Sequence, residues 1–221
     1  MRGMILAAGR GERMGALTEV LPKPLLKVAG HYLIEYPIMA LAKIGVADIV
    51  INVSYRREQI IEALGDGARY GVTLHFSEET DALETGGGVL QALPLLGNEP
   101  FIVLSSDVIT DYPLHLLPKN LDKLAHIVLV NNPHYHPTGD FGLVENKIYL
   151  DGEAKFTFGN VGVYHPDLFA HCKPGRFRLA DLLKQAIAEQ KVSGEYYQGV
   201  WHNLGTPEDL ANACVAMSAT V

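Results

Sequence analysis

Within one short N-terminal stretch, Gly9, Gly11, Arg13 and Lys23 supply the parts of an anion grip. Gly9 and Gly11 lack a Cβ, so the backbone there can take positive φ and lie directly against a ligand. Successive N–H donors in such a segment make an anion nest. Arg13 adds a planar, permanently charged fork that can take two phosphate oxygens at once, and Lys23 adds a compact point charge. Pro22 and Pro24 bias the backbone around Lys23 towards extended geometry and away from helix, so its ammonium is expected on a stiff segment. A dinucleotide fingerprint needs glycine where Met14 stands, and a Walker A loop needs glycine, lysine and a hydroxyl residue in succession; neither pattern is met. Generic phosphate binding survives, alongside an ordinary strand-to-helix turn that carries two surface cations.

Two further features invite chemistry. Leu83 to Gly88 reads LETGGG, and three consecutive glycines ahead of a helix suit close approach of a flat nucleobase, whose edge Thr85 or Gln91 can hydrogen-bond; a flexible turn is the plainer alternative. Asp107 follows the apolar run Phe101 to Leu104 and the pair Ser105 and Ser106. Ligands of open α/β sheets bind beyond the carboxyl ends of strands. A carboxylate there can hold Mg²⁺, although an aspartate also caps turns. His134 and His136 stand between prolines in what reads as a surface loop, and no His-Glu-x-x-His pattern occurs.

These residues need a scaffold, and the hydrophobic pattern provides one. Strands are expected at Met4 to Ala8, Asp48 to Val53, Thr73 to Ser77, Phe101 to Leu104 and His126 to Asn131, with helices at Leu33 to Ile44, Arg56 to Leu64 and Val89 to Leu93 between them. That alternation predicts an α/β fold: a doubly wound, mostly parallel open sheet with helices on both faces. From Phe141 the pattern changes to short β segments, Gly142 to Leu150 and Lys155 to Tyr164, expected as a small β region appended to the sheet. Arg178 to Gln190 reads as a helix, Glu195 to Trp201 as a strand, and Thr206, Pro207, Glu208 and Asp209 as the capped start of a last helix.

At 221 residues, with 48% hydrophobic and 19% charged residues, the chain can bury one substantial core, and residues 1 to 221 are expected to form one domain. A formal net charge of -7 argues against nucleic-acid and acidic-membrane surfaces. Cys172 and Cys214 are too few for a disulfide framework, which fits a reducing cytoplasm, and no run has the length of a signal peptide's apolar region or a membrane span. No pattern specifies an oligomer.

LAAGRGERM followed by LT and PKPLL resembles the signature of the sugar-1-phosphate nucleotidyltransferases, with Ala16 where the family usually has proline before the LT pair. LETGGG looks most like the bacterial uridylyltransferases of that family that act on N-acetylmuramate 1-phosphate. The resemblance implies a Rossmann-like fold and transfer of UMP from UTP to a sugar 1-phosphate in cell-wall sugar recycling, with release of pyrophosphate and Mg²⁺ as cofactor. Guanylyl transfer to mannose or heptose 1-phosphate is the alternative within the family. The long C-terminal domains of some members are not expected.

The same resemblance places Ala8, Gly9, Gly11, Glu12, Arg13, Lys23, Glu84, Thr85, Gly86 and Gly87 around the nucleotide, with Arg13, Lys23 and Asp107 catalytic. It places Ser105, Asp140, Asn160 and Gly162 on the sugar side, the last two through the likeness of GNVGVY to the family's Asn-x-Gly-x-Tyr strand. Asp140 reads equally well as a solvated loop aspartate. The metal ligands implied are Asp107 and Asn203, and at the second position the family typically has aspartate. An asparagine carbonyl still ligates a hard cation but lacks its charge. A neutral ligand, a weakened enzyme and a nucleotide-sugar sensor without turnover are the three readings of Asn203.

Overall fold

The computed structural model describes residues 1–152 and 154–218. The chain opens with β1 (Gly3–Leu6), the single-turn α1 (Leu17–Val20), the ribbon strands β2 (Lys27–Val28) and β3 (His31–Tyr32), and α2 (Glu35–Lys43). Next come β4 (Asp48–Val53), α3 (Arg57–Leu64), β5 (Thr73–Glu78), α4 (Glu84–Leu96), β6 (Phe101–Ser105) and β7 (Val108–Thr110). The remainder comprises β8 (Ala125–Val130), β9 (Phe141–Val144), β10 (Lys147–Tyr149), β11 (Lys155–Tyr164), α5 (Leu179–Ala188), β12 (Val192–Tyr197), β13 (Trp201–Asn203) and α6 (Pro207–Ser218).

The main sheet runs β5-β4-β1-β6-β11-β8-β12-β10-β9. Its first four strands are parallel. Alternate residues divide between two cores: Ile5, Ile49 and Ile51 pack with Ile38 and Leu41 of α2 and Ile60 of α3, whereas Met4, Val50 and Val103 pack with Val89 of α4 and Leu183 of α5. Side chains of a strand point to opposite faces by turns, so a sheet covered on both sides reads as a continuous apolar run such as DIVINV.

The expectation of a mostly parallel sheet with an appended β region is corrected. β11 is antiparallel to both β6 and β8, β12 returns parallel to β8, and β10 and β9 follow antiparallel. Because β9 also pairs with β11, this half closes into a ring continuous with the sheet. For β9 and β10 the reason is connection length: a parallel neighbour needs a crossover, and the turn between them has no room for one. The expected strand from Glu195 to Trp201 divides as well, β12 staying in the main sheet while β13 pairs with β7 in a separate ribbon.

Pro37 lies in the first turn of α2, where a missing N–H costs nothing. A third cluster, with Met14, Val28, Leu33, Leu204 and Ala213, joins the turn after Gly11 to α6.

Candidate active site

Parallel register brings the candidate residues together. Leu6 at the end of β1 lies opposite Asn52 of β4 and Ser105 of β6, so the segments that leave these strands meet at one end of the sheet. Ala7 leaves the ladder there, its N–H donating to Asn52 Oδ1 at 2.9 Å, and so the strand ends at Leu6 rather than Ala8. Beyond it Gly11 takes φ 71, and a single 3₁₀ turn from Glu12 to Met14 anchors the loop through the buried Met14. A Cβ on Gly11 would stand 2.9 Å from Lys23 Cβ, so the residue must be glycine for both conformation and space. Nothing lies within 4 Å of a Cβ built on Gly9.

Lys23 sits in a 3₁₀ turn from Lys23 to Leu25 behind the extended Pro22, which corrects the expected extended segment. Its side chain is nearly buried, and its Nζ donates to Asp107 Oδ2 at 2.5 Å. Arg13 is packed against Gly205, where a Cβ would stand 3.1 Å from the guanidinium. Gly205 is in turn held by the start of α6: its N–H and that of Thr206 donate to Asp209 Oδ2, and the Asp209 N–H donates to Thr206 Oγ1 at 3.2 Å, so the capping hydroxyl expected at Thr206 is joined by a reciprocal bond from Asp209.

These groups surround a cavity of about 500 Å³ whose walls include Ala8, Gly9, Gly11, Glu12, Arg13, Lys23, Glu84, Thr85, Ser105 and Asp107. Its cations and main-chain loop suit a polyphosphate, and it opens where α/β sheets bind ligands. A family model described as Nucleotidyl transferase matches residues 2–157. The chain belongs to that family. It is 43% identical over 218 residues to the N-acetylmuramate alpha-1-phosphate uridylyltransferase of Neisseria meningitidis serogroup B, covering 93% of this chain and 94% of that protein. Similarity to a mannose-1-phosphate guanyltransferase of Hypocrea jecorina is 30% over 244 residues, 99% of this chain but 65% of the relative. In fold it resembles a solved chain described as a candidate glucose-1-phosphate thymidylyltransferase from Bacillus anthracis, with a TM-score of 0.87, 20% identity, and coverage of 98% and 94% of the two chains.

In this nucleotidyltransferase the remaining expected residues are dispersed. The glycines of LETGGG are not a turn ahead of a helix but lie inside α4, which starts at Glu84. A Cβ on Gly86 would stand 2.4 Å from Phe177, and one on Gly87 2.2 Å from the Gly175 carbonyl. Gly86 and Gly87 thus pack against the chain ahead of α5, while Glu84 and Thr85 face the cavity. Asp140 accepts from the Phe158 N–H at 2.8 Å and pairs with His136 Nε2 at 3.1 Å, so it closes its own loop onto β11 instead of facing the cavity. Gly162 is also structural, since a Cβ there would stand 2.8 Å from the His126 carbonyl. Asn160, at φ 55 in the irregular stretch of β11, borders a small recess that shares Leu6, Thr85 and Ser105 with the main cavity.

Asn203 pairs with Val108 across the β7–β13 ribbon, and the next N–H, of Leu204, donates to the Asp107 carbonyl at 2.9 Å. Positions 107 and 203 are therefore adjacent in the backbone. Asn203 borders a recess together with Tyr135 and Asp209; burial and then Asp209 raise the Tyr135 phenol's pKa, and the Asn203 side chain opposes them. Among the described residues no group of three or more His, Cys, Asp or Glu gathers as a metal site. A hard cation that keeps several waters and takes phosphate oxygens needs no such group, and the oxygens of Asp107 and Asn203 have the right donor chemistry.

Sequence reasoning missed Asn52, Glu79, Arg176 and Gly205, all of which line the cavity. Asn52 and Glu79 are 2% and 1% exposed. Asn52 Nδ2 donates to Glu79 Oε1 at 2.7 Å, and Glu79 Oε2 accepts from the Leu83 N–H at 2.9 Å. With the Ala7 bond to Asn52, this chain of bonds ties the loop that follows β1 to the start of α4. An asparagine inside an otherwise apolar strand was a signal available in DIVINV; Glu79 had none.

Proposed function

We propose that the chain transfers UMP from UTP to N-acetylmuramate 1-phosphate, releasing pyrophosphate, as a cytoplasmic enzyme of cell-wall sugar recycling. The observation that carries this is the meeting of the Gly9–Arg13 loop, Lys23 and Asp107 in one cavity, in a chain that matches a uridylyltransferase of that acceptor along nearly its whole length. An oxygen of the acceptor phosphate attacks the α-phosphorus of UTP, and the bond to the bridging oxygen of the β-phosphate breaks. The attacking group is already an anion, so no side-chain nucleophile is required; catalysis is positioning and charge compensation.

In this reading the N–H groups from Ala8 to Glu12 hold the β- and γ-phosphates, and Arg13, supported by Gly205, neutralises the departing pyrophosphate. Lys23 faces the α-phosphate from its near-buried position, with Asp107 compensating its charge in the absence of nucleotide. Glu84 and Thr85 border the nucleotide, and Ser105 and Asn160 border the sugar. Asp107 and Asn203 would hold Mg²⁺, which when bound there supplies charge neutralisation between the phosphates.

The test is pyrophosphate release with each nucleoside triphosphate against N-acetylmuramate, N-acetylglucosamine, mannose and heptose 1-phosphates. UTP with the muramate acceptor is expected to be fastest. Faster release with GTP and mannose 1-phosphate would establish guanylyl transfer instead, and thermal stabilisation by UTP without any pyrophosphate would make the chain a sensor.

A further inference from the structure

Four cations border the cavity. Three stand on the N-terminal segment that the proposed function gives to the triphosphate, each held by the protein: Lys23 on Asp107, Arg13 against Gly205, and Arg10 over the Tyr55 ring at 5.5 Å from its centroid. The fourth, Arg176, comes from a separate wall, the segment ahead of α5. That segment is tied to α4 through main-chain groups. Gly86 and Gly87 donate to the Phe177 carbonyl at 3.0 and 3.2 Å, and the Phe177 N–H donates to the Leu83 carbonyl at 3.1 Å. The Leu179 N–H donates to Thr85 Oγ1 at 2.9 Å.

The backbone under Arg176 is therefore fixed, while its side chain is 71% exposed and its Nη2 rests on Glu84 Oε1 at 2.8 Å. An ion pair this exposed contributes little and exchanges readily. Glu84 itself stands at φ 62, an unusual conformation for a residue with a side chain, which persists only where its surroundings hold it. Leu179 and Ala180, just beyond Arg176, border the recess that contains Asn160 and shares Thr85 and Ser105 with the main cavity. Arg176 thus lines the main cavity three residues before Leu179, which borders the adjoining recess.

We propose that Arg176 reads the carboxylate of the acceptor. N-acetylmuramate differs from N-acetylglucosamine by a lactyl ether, which carries a second anion in addition to the 1-phosphate. An arginine fork matches a carboxylate with two parallel bonds, and Arg176 is the cavity cation that the triphosphate does not claim. In the free enzyme Glu84 holds the place of that carboxylate and keeps the guanidinium at the mouth. On binding, Arg176 passes from Glu84 to the lactyl group and shields it from the Glu84 charge. The inference rests on the muramate reading of the preceding subsection.

The experiment compares kcat/KM for N-acetylmuramate 1-phosphate and N-acetylglucosamine 1-phosphate, with UTP, in the parent, Arg176→Gln and Arg176→Lys. The preference of the parent for the muramate acceptor should fall on the order of 30-fold in Arg176→Gln, the worth of a hydrogen-bonded charge, and recover in part in Arg176→Lys. An unchanged preference, equal loss with both acceptors, or a KM for UTP that rises in step would overturn the assignment while leaving the functional reading intact. A parent without turnover of the muramate acceptor would overturn both.

Discussion

Gly9 in the wall of the cavity, and Gly86, Gly87 and Gly88 inside α4, put the same missing Cβ to opposite uses. At Gly9 the space a Cβ would fill is open, and Gly11 supplies a left-handed turn that a side chain would strain. Around Gly86 to Gly88 that space is taken by Phe177, the Gly175 carbonyl, and the Asn52 and Glu79 side chains. Gly9 leaves room for a ligand; the space at Gly86 to Gly88 has been filled by the protein. Glycine runs therefore identify close approach without saying whether a ligand or the chain itself approaches.

The largest effect should come from the loop side. Lys23→Ala is expected to lower kcat by roughly 10²–10³, the scale of losing one group that stabilises developing charge, with binding of UTP far less affected. Pyrophosphate release and UTP titration check it, and parental turnover would remove Lys23 from the chemistry. On the filled side, Gly87→Ala should lower the unfolding free energy by about 1–3 kcal/mol, because the new methyl meets a backbone carbonyl at 2.2 Å that cannot step aside cheaply. Urea denaturation measures it; a change near zero would mean that the α4 contact is soft.

Asn203→Asp sharpens the metal side of the loop. Turnover is expected to rise up to about tenfold and half-saturation by Mg²⁺ to fall, since a second charge favours a hard cation. No change in either would show that position 203 is not a ligand. The smallest effect on folding belongs to Gly9→Ala, expected within about 0.5 kcal/mol of the parent by the same denaturation, with a several-fold rise in KM for UTP as its distinguishing mark. Equal behaviour of Gly9→Ala and Gly87→Ala would erase the contrast between the two glycine sites.

The strand-end rule made Gly9 to Arg13 and Asp107 legible as one site, because parallel strands joined by helices deliver their carboxyl ends to the same edge. Local chemistry made the capped start of α6 legible for a similar reason: the Thr206 and Asp209 bonds close within four residues. Asp140 and Gly162 misled because an aspartate in a loop and a glycine in a strand look alike whether they serve a ligand or a neighbouring strand. Glu79 was silent since its partners, Asn52 and the Leu83 N–H, come from β4 and from the segment ahead of α4.

The amino-acid sequence alone determined the loop of glycines and cations, the alternation that yields β1, β4, β5 and β6, and, through its motifs, the likeness to a family, all of which depend on near neighbours in the chain. Tertiary structure alone decided that the sheet is half antiparallel, that the glycines of α4 serve packing, and that Arg176 reaches the cavity. Each of these rests on contacts between segments far apart in sequence, where the spacing of residue types carries no record of which surface meets which.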